Sequence, residues 1–265
     1  MKLSIITKDP DLAIQAEAAG IDRIFIDLER LGKAERQTGR NLFLSDHCLL
    51  DIAKIRRVIH KAKVLVRIDP LHPGSKQQIA NGIDAGADMI MLPYFHRLDE
   101  AQEFVDLVRG KATALLLVET PEAAAILADL CRLPGVSEIH VGLNDLSISL
   151  GKQFLFDLIV DGTVEKLCDV LRRSGLPFGF GGIGCLKRRD LPVAPELILA
   201  FQICQGATRG WLGRSFRDFK ISQLRESVAE LRAAIEYWNS ADLQEKERMR
   251  LELMCQISSV SACSA

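Results

Sequence analysis

The feature that most constrains the fold is a repeated alternation of short apolar runs with amphipathic segments. One run, residues 114–121, reads Ala-Leu-Leu-Leu-Val-Glu-Thr-Pro and is apolar until it ends on an acid and a proline. Unbroken apolar runs of this kind are typical of strands in parallel sheets that are buried on both faces. Strands are predicted at residues 3–7, 23–28, 63–69, 89–95, 113–119, 138–143, 178–183 and 209–212. Helices are predicted at residues 11–19, 49–62, 76–85, 98–108, 121–132, 164–174 and 194–205.

Eight strands that alternate with helices in a chain of 265 residues predict an α/β fold of the (β/α)8 TIM-barrel type. The alternative is an open doubly wound sheet, but no glycine-rich phosphate turn follows the first strand. Two extra helices, at residues 221–238 and 242–257, follow the eighth strand. We therefore expect a catalytic barrel at residues 1–216 and a C-terminal helical extension at residues 217–265. The extension is expected to contact other subunits, with a lid over the barrel bottom as the alternative, and residues 258–265 are expected to fray.

Composition and charge narrow the range of partners. The net charge of -1 and the isoelectric point near 6.5 provide no basic surface for nucleic acid or for an anionic membrane. No apolar window approaches the roughly 18 residues of a membrane span, and the N-terminal apolar run is too short for a signal peptide. The 7 cysteines are scattered without a CxxC pair, as expected for free thiols in a reducing compartment. These features predict a cytoplasmic protein without nucleic-acid or membrane partners.

Two carboxylates stand at the ends of consecutive predicted strands. Glu119 ends the fifth strand, and Asp145 lies just past the end of the sixth. In a barrel of parallel strands these ends converge on one mouth, where the chemistry of such folds is done. Two carboxylates with room for water suit a hard divalent cation. The alternative is that Glu119 caps the following helix and Asp145 closes a turn.

Arg67 lies at the end of the third predicted strand, and Asp27 and Glu29 lie at the end of the second. A guanidinium at the end of an apolar strand is costly unless an anion accepts its hydrogen bonds. One interpretation is a structural ion pair with Asp27 or Glu29. The other is that Arg67 holds a substrate carboxylate or a developing enolate.

Several of these segments carry a family resemblance. They are Asp27-Leu28-Glu29, Arg67, residues 86–93 (Gly-Ala-Asp-Met-Ile-Met-Leu-Pro), Glu119-Thr120 and residues 141–151 (Val-Gly-Leu-Asn-Asp-Leu-Ser-Ile-Ser-Leu-Gly). Together they resemble the signature of the HpcH/HpaI aldolase and citrate lyase beta-subunit superfamily, the phosphoenolpyruvate/pyruvate-type barrels. The resemblance covers about residues 13–216. It implies a (β/α)8 barrel that cleaves or forms carbon–carbon bonds next to a pyruvate, oxaloacetate or acyl-thioester unit, with bound Mg2+ or Mn2+.

The resemblance also implies roles for particular residues. Glu119 and Asp145 become the metal ligands, and Arg67 stabilises the pyruvate enolate. His47, just before a predicted helix, resembles the catalytic histidine of the aldolase members, and Asp84 resembles the acid that orients it. Substrate-binding candidates are Asp27, Glu29, Arg30, Arg36 and Asn144. His140, within a predicted strand, is expected to be a core residue with its hydrogen bonds satisfied.

The chain departs from the family pattern at two places. In the compact aldolases the histidine follows the Asp-x-Glu motif at once, whereas residues 30–46 intervene here. This insert brings Arg30, Lys33, Arg36 and Arg40 to the mouth, either to bind a phosphate, a sugar acid or the diphosphate of CoA, or as a solvated loop. The familiar Gly-Pro-Ala-Asp becomes residues 142–145, Gly-Leu-Asn-Asp, so substrate specificity is not carried over from the family.

These observations predict a metal-dependent carbon–carbon lyase of the aldolase type. It would cleave or form a small 2-oxo acid through a pyruvate enolate. One alternative is a CoA-thioester lyase of the citrate, malyl or citramalyl type. Another is a barrel that binds a keto acid without turnover. The family resemblance further implies a homo-oligomer, a trimer or hexamer.

Overall fold

The computed structural model describes residues 1–33, 45–216 and 221–264. Within these ranges eight strands pair in parallel, in the order β7-β6-β5-β4-β3-β2-β1-β8. The strands are β1 Lys2–Ile6, β2 Arg23–Asp27, β3 Lys63–Arg67, β4 Met89–Leu92, β5 Thr113–Val118, β6 Val136–Val141, β7 Phe178–Phe180 and β8 Arg209–Trp211. Each overlaps a predicted strand, so the predicted strands are confirmed.

Helices follow the strands along the same part of the chain. They are α1 Pro10–Ala18, α2 Leu49–Val58, α3 Ser75–Asp84, α4 Leu98–Val108, α5 Pro121–Ala125, α6 Leu127–Arg132, α7 Leu143–Ser149, α8 Asp157–Val160, α9 Thr163–Ser174, α10 Pro195–Cys204, α11 Ile221–Ser240 and α12 Leu243–Ser264. The short helices α7 and α8, after β6, were not predicted. Asp145 therefore lies in the first turn of a helix.

Contacts between β7 and β8 nearly close the barrel. The backbone N–H of Thr208 donates to the carbonyl of Phe178 at 2.8 Å, and that of Ile183 donates to the carbonyl of Trp211 at 2.7 Å. A bridge between Ile183 and Leu212 continues this contact. The chain is thus a TIM-barrel-like α/β protein, as predicted, and the open doubly wound sheet is excluded.

Alternate strand residues point into the barrel or out toward the helices. Inside, a compact apolar cluster fills the centre, and a larger cluster lies between the strands and the helices. The inner cluster contains Phe25, Leu65, Met89, Met91, Leu115 and Leu117. Below it, at the N-terminal ends of the strands, the carboxylate of Glu138 binds Arg23 and Arg209. These ion pairs therefore lie beneath the apolar cluster, and the cavity considered below lies at the opposite, C-terminal ends of the strands.

The C-terminal helices pack on the barrel of the same chain. Arg232 on α11 donates to the carbonyl of Met1 and to the carboxylate of Asp22. Ser261 on α12 donates to Asp157, and α12 continues to Ser264, so the expected fraying is wrong for residues 258–264. The cause is packing, because α12 buries Leu253 and Ile257 against the core. The division at residue 216 and the contact with other subunits stay predictions. In the described ranges no helix is long and apolar enough to cross a membrane.

Candidate active site

A cavity of about 260 Å3 opens at the C-terminal ends of the strands. Charged side chains from several strands and loops line it, as the barrel topology predicts. These are Asp27, Lys33, Arg67, Glu119, Asp145 and Arg214. Ile6, His140 and Trp211 line it as well. The cavity is therefore lined by charged side chains and by apolar and aromatic ones.

Local backbone structure holds Glu119 in the cavity. Thr120 caps α5, because its hydroxyl oxygen accepts from the N–H of Ala123 at 3.2 Å, and Pro121 takes the first helical position. Glu119 is thus not the helix cap that the alternative interpretation required. Its Oε1 accepts from the backbone N–H of Tyr94 at 3.1 Å. Tyr94 has a φ of 45°, a left-handed conformation that is uncommon for a tyrosine and that turns its N–H toward Glu119.

Asp145 reaches the same cavity from the first turn of α7. Its Oδ1 accepts from the side-chain amide of Asn144 at 3.1 Å. Gly142, the residue before α7, leaves space beside Glu119. A Cβ at position 142 would lie 2.6 Å from Oε2 of Glu119, so any other residue would displace that carboxylate. The glycine of the Gly-Leu-Asn-Asp segment is therefore needed for the position of Glu119.

A buried ion-pair network occupies the β2–β3 side of the cavity. Arg67 binds both carboxylate oxygens of Asp27, at 2.8 and 2.7 Å, and its Nε lies 3.3 Å from Glu29. The Lys33 ammonium lies 3.1 Å from both Asp27 and Glu29. Burial alone would raise the pKa of Asp27, but the charges and hydrogen bonds of Arg67 and Lys33 hold that pKa well below its ordinary value. Burial likewise opposes the charge of Arg67, but Asp27 and Glu29 raise its pKa. Asp27 and Arg67 are therefore both charged at neutral pH.

The residues around the cavity match a known family. A model of the HpcH/HpaI aldolase/citrate lyase family matches residues 3–154, more than half of the chain. The chain belongs to the HpcH/HpaI aldolase/citrate lyase family. The matched range contains Asp27, Arg67, Glu119 and Asp145. No curated protein matches the sequence.

Solved structures share the fold of this family member at low identity. An HpcH/HpaI aldolase from Desulfitobacterium hafniense DCB-2 is 17% identical, with a TM-score of 0.63, over 89% of this chain and 92% of its own. A family protein from Burkholderia cenocepacia J2315 is 18% identical, with a TM-score of 0.61, over 87% and 94%. The citrate synthase SbnG is 20% identical, with a TM-score of 0.61, over 89% and 93%. These likenesses establish the barrel and leave the reaction to be argued from the cavity.

HpcH/HpaI family members are mostly lyases and aldolases that act on small molecules and are typically metal-dependent. In the described part of the chain no three His, Cys, Asp or Glu side chains cluster around one point. Mg2+ is often bound by only one or two carboxylates, with water and substrate oxygens completing the shell. Glu119 and Asp145 in one cavity, with the Gly142 space beside them, fit that donor set.

His47 lies outside the cavity that holds Glu119 and Asp145. Its Nδ1 accepts from the backbone N–H of Asp27 at 3.1 Å, and the side chain borders a separate cavity beside α3. Burial lowers the pKa of His47. Arg30, an exposed residue, donates to the carbonyl of His47 at 2.9 Å and lines the same separate cavity. The structure therefore does not bring the expected base, or Arg30, to the mouth.

Asp84 is also away from the mouth. It is the exposed last residue of α3, just before the turn that leads into β4, and so lies at the N-terminal end of the barrel. The structure therefore does not bring Asp84 beside His47, because a helix of the barrel ends at the face opposite to the active mouth. Arg36 and Arg40 lie outside the described residues. Of the basic insert, the structure places Lys33 in the cavity.

Two further cavity residues were not predicted as functional. His140 was expected to be a satisfied core residue, but it lines the cavity and stacks on Trp211. The C-terminal half of β6 does alternate, because the polar Glu138 and His140 are separated by the apolar Ile139. The available signal was register, because His140 lies two residues before Gly142 and therefore on the same face of the strand.

Proposed function

We propose that this protein is a divalent-metal-dependent carbon–carbon lyase of the aldolase type, which cleaves or forms a 2-oxo acid through a pyruvate enolate. The observation that supports it is the presence of Arg67, Glu119 and Asp145 in one cavity at the mouth of an HpcH/HpaI-family barrel. In this proposal Glu119 and Asp145 hold Mg2+ or Mn2+. The bound cation would polarise the oxo group of the substrate and offset negative charge.

Arg67 is proposed to stabilise the oxygen on which negative charge develops. When the bond between the carbon next to the oxo group and the hydroxyl-bearing carbon breaks, its electron pair moves toward the oxo oxygen. The hydroxyl proton leaves to water, and an aldehyde is released. Arg67 uses Nε and Nη2 to bind Asp27, so Nη1 is not engaged in that pair. Because Asp27 fixes the guanidinium before substrate arrives, little reorganisation is needed during the reaction.

The charges in the cavity support an anionic substrate. Lys33, Arg67 and Arg214 line it together with the three carboxylates Asp27, Glu119 and Asp145. These charges balance, so a bound divalent cation would give the cavity a net positive charge. A net positive charge favours binding of a substrate carboxylate. Lys33 and Asn144 are the proposed polar contacts to substrate, and Asp27 and Glu29 are proposed to position Arg67 and Lys33.

The test is exchange of the methyl protons of pyruvate into deuterated water, followed by NMR. We expect exchange with Mg2+ or Mn2+, and none after chelation. Glu119→Gln should abolish it, because a neutral amide is a poor ligand for a hard cation, while the melting temperature stays the same. Glu122→Gln is the matched control, since Glu122 is an exposed acid three residues further on, and should exchange like the wild type.

Absence of exchange by folded, metal-bound wild-type protein would contradict the aldolase proposal. Titration with CoA would then test the thioester lyase. If pyruvate and metal bind tightly without any turnover, the non-catalytic keto-acid barrel becomes the better description.

We also propose that the protein is a cytoplasmic homo-oligomer whose C-terminal helices contact a second subunit. The contact with a second subunit is supported by α12, where the large apolar side chains of Leu243 and Leu251 are exposed. Light scattering should give the mass of a trimer or hexamer. Leu243→Glu with Leu251→Glu should reduce that mass, whereas a monomeric wild type would contradict the proposal.

A further inference from the structure

The floor of the mouth cavity contains a stacked pair of aromatic rings. The rings of His140 on β6 and Trp211 on β8 are almost parallel, with an interplanar angle of 3° and centroids 3.7 Å apart. Strand β7 runs between them, contains Gly179 and is followed by Gly181. A Cβ at position 179 would lie 2.3 Å from the backbone oxygen of Arg209, so β8 can approach only a glycine there. Gly179 thus allows β8 to approach closely enough for the indole to reach the imidazole.

Hydrogen bonding determines the tautomer of His140. Its Nε2 lies 3.1 Å from the carbonyl oxygen of Gly181, which can only accept, so Nε2 carries the hydrogen and Nδ1 carries a lone pair. Burial, together with the nearby charges of Arg23 and Arg67, lowers the pKa of His140 to about 3, although the hydrogen bond to Gly181 opposes this shift. The ring is therefore neutral at pH 7, and Nδ1 is a hydrogen-bond acceptor.

Both rings present a buried polar group without a partner among the described residues. Nδ1 of His140 lacks a donor, and the Nε1–H of Trp211 lacks an acceptor. A buried polar group without a hydrogen bond costs about 1–3 kcal/mol, so native structures rarely keep two side by side. Both side chains line the cavity, where a ligand can supply the missing partners. The pair has the features of a recognition element rather than of a packed core.

We propose that His140 and Trp211 recognise a hydroxyl group of the ligand at the floor of this cavity. The hydroxyl oxygen accepts from Nε1 of Trp211, and the hydroxyl hydrogen is donated to Nδ1 of His140. A carboxylate or carbonyl has no hydrogen to donate to His140, and an ammonium has no lone pair for Trp211. The pair therefore selects a hydroxylated ligand without taking part in bond cleavage. This inference rests on the proposed function, since it assumes that a 2-oxo acid binds in the same cavity.

The experiment is a comparison of dissociation constants, measured by calorimetry in the presence of Mg2+, for pyruvate, 3-hydroxypyruvate and 4-hydroxy-2-oxobutyrate. At least one hydroxylated acid is expected to bind about tenfold more tightly than pyruvate, as two hydrogen bonds to buried groups predict. His140→Phe keeps an aromatic ring against Trp211 and removes the acceptor. It should reduce that preference to near unity while it changes pyruvate affinity less than about threefold. His60→Phe, at an exposed histidine, is the control and should retain the preference.

Trp211 provides a second measurement. The chain has only two tryptophans, so Trp238→Phe leaves Trp211 as the sole indole reporter. Its fluorescence should change more with the preferred hydroxylated acid than with pyruvate. Equal affinity for all three acids, or a preference that persists in His140→Phe, would overturn the inference and would mean that the pair merely holds water. Failure of all three acids to bind with metal would instead overturn the proposed function, and this inference with it.

Discussion

The guanidinium of Arg67 binds both carboxylate oxygens of Asp27, with Nε 2.8 Å from Oδ1 and Nη2 2.7 Å from Oδ2. The two residues are direct partners in the register of β2 and β3, so strand pairing itself places the charges together. Each residue ends its strand, and the pair lies at the edge of the cavity. The barrel thus fixes a cationic side chain at the mouth. The two interpretations of Arg67 from the sequence, a structural ion pair with Asp27 and a cation that faces the ligand, are therefore compatible.

Removal of Arg67 should cost stability as well as activity. Arg67→Ala removes the cation that pairs with Asp27 and Glu29, both of which are buried. Breaking a buried pair typically costs about 3–5 kcal/mol, and urea unfolding should show a loss in this range. Arg97→Ala removes an exposed arginine that pairs with Asp99 and should show no measurable loss. Equal effects of the two substitutions would mean that the network contributes nothing specific.

A methyl group at position 142 should weaken metal binding without removing a ligand. In Gly142→Ala the new Cβ would lie 2.6 Å from Oε2 of Glu119 and 2.8 Å from its Cβ, so the Glu119 side chain must move. We expect the affinity for Mn2+, measured by titration, to fall at least tenfold. Gly182→Ala is the matched control, because Gly182 lines the same cavity and its Cβ would have no neighbour closer than 3.8 Å. Comparable affinities of the two variants would argue against Glu119 as a ligand.

His47 should prove to be a structural residue. Its Nδ1 accepts the N–H of Asp27, so its replacement affects the backbone that carries the Arg67 partner. His47→Asn retains an acceptor and should keep metal-dependent pyruvate exchange within a fewfold of the wild type. His47→Ala should lower the unfolding free energy by about 1–3 kcal/mol through the unsatisfied N–H. A hundredfold loss of exchange in a folded His47→Asn protein would restore His47 as the catalytic base.

His140 should make stability depend on pH below neutrality. Its pKa is about 3 in the folded protein, against about 6.5 for an unperturbed histidine, so the unfolded chain takes up the proton first. The stabilisation is therefore complete above pH 6.5 and is lost as the pH falls from 6.5 toward 3. The slope from one proton approaches about 1.4 kcal/mol per pH unit.

His47, whose pKa is also lowered, acts in the same direction. Urea unfolding between pH 7 and 4.5 should therefore show a smaller slope in His140→Phe than in the wild type, with the remainder arising from His47 and other groups. An unchanged slope would show that His140 is protonated in the folded protein.

Much of the fold could be predicted because most of the strands are apolar runs in the sequence. In residues 114–121 the run ends on Glu119 and Pro121, which identifies both the strand and the start of the following helix. Asp145 could be placed at the mouth for the same reason, since it follows the run of β6. Strand ends are encoded locally, and the topology of a parallel barrel then brings them to one face.

The pairing of His47 with Asp84 could not be judged in this way. Both residues lie near helix ends, and only the direction of each helix relative to the barrel shows that His47 borders the separate cavity beside α3 whereas Asp84 lies at the N-terminal face of the barrel. His140 and Trp211 were missed for a different reason. They are isolated residues in short strands, and they are 71 positions apart in sequence, so no local pattern shows that their rings meet.

The sequence by itself determined the barrel, its strand positions and the acids at the strand ends, because hydrophobic periodicity and turn residues act over a few positions. Tertiary structure alone decided which side chains share the cavity. It placed Lys33 inside, His47 and Arg30 beside α3, and His140 against Trp211 across β7. Such contacts depend on strand register and on close approach between distant segments, which no local pattern in the chain records.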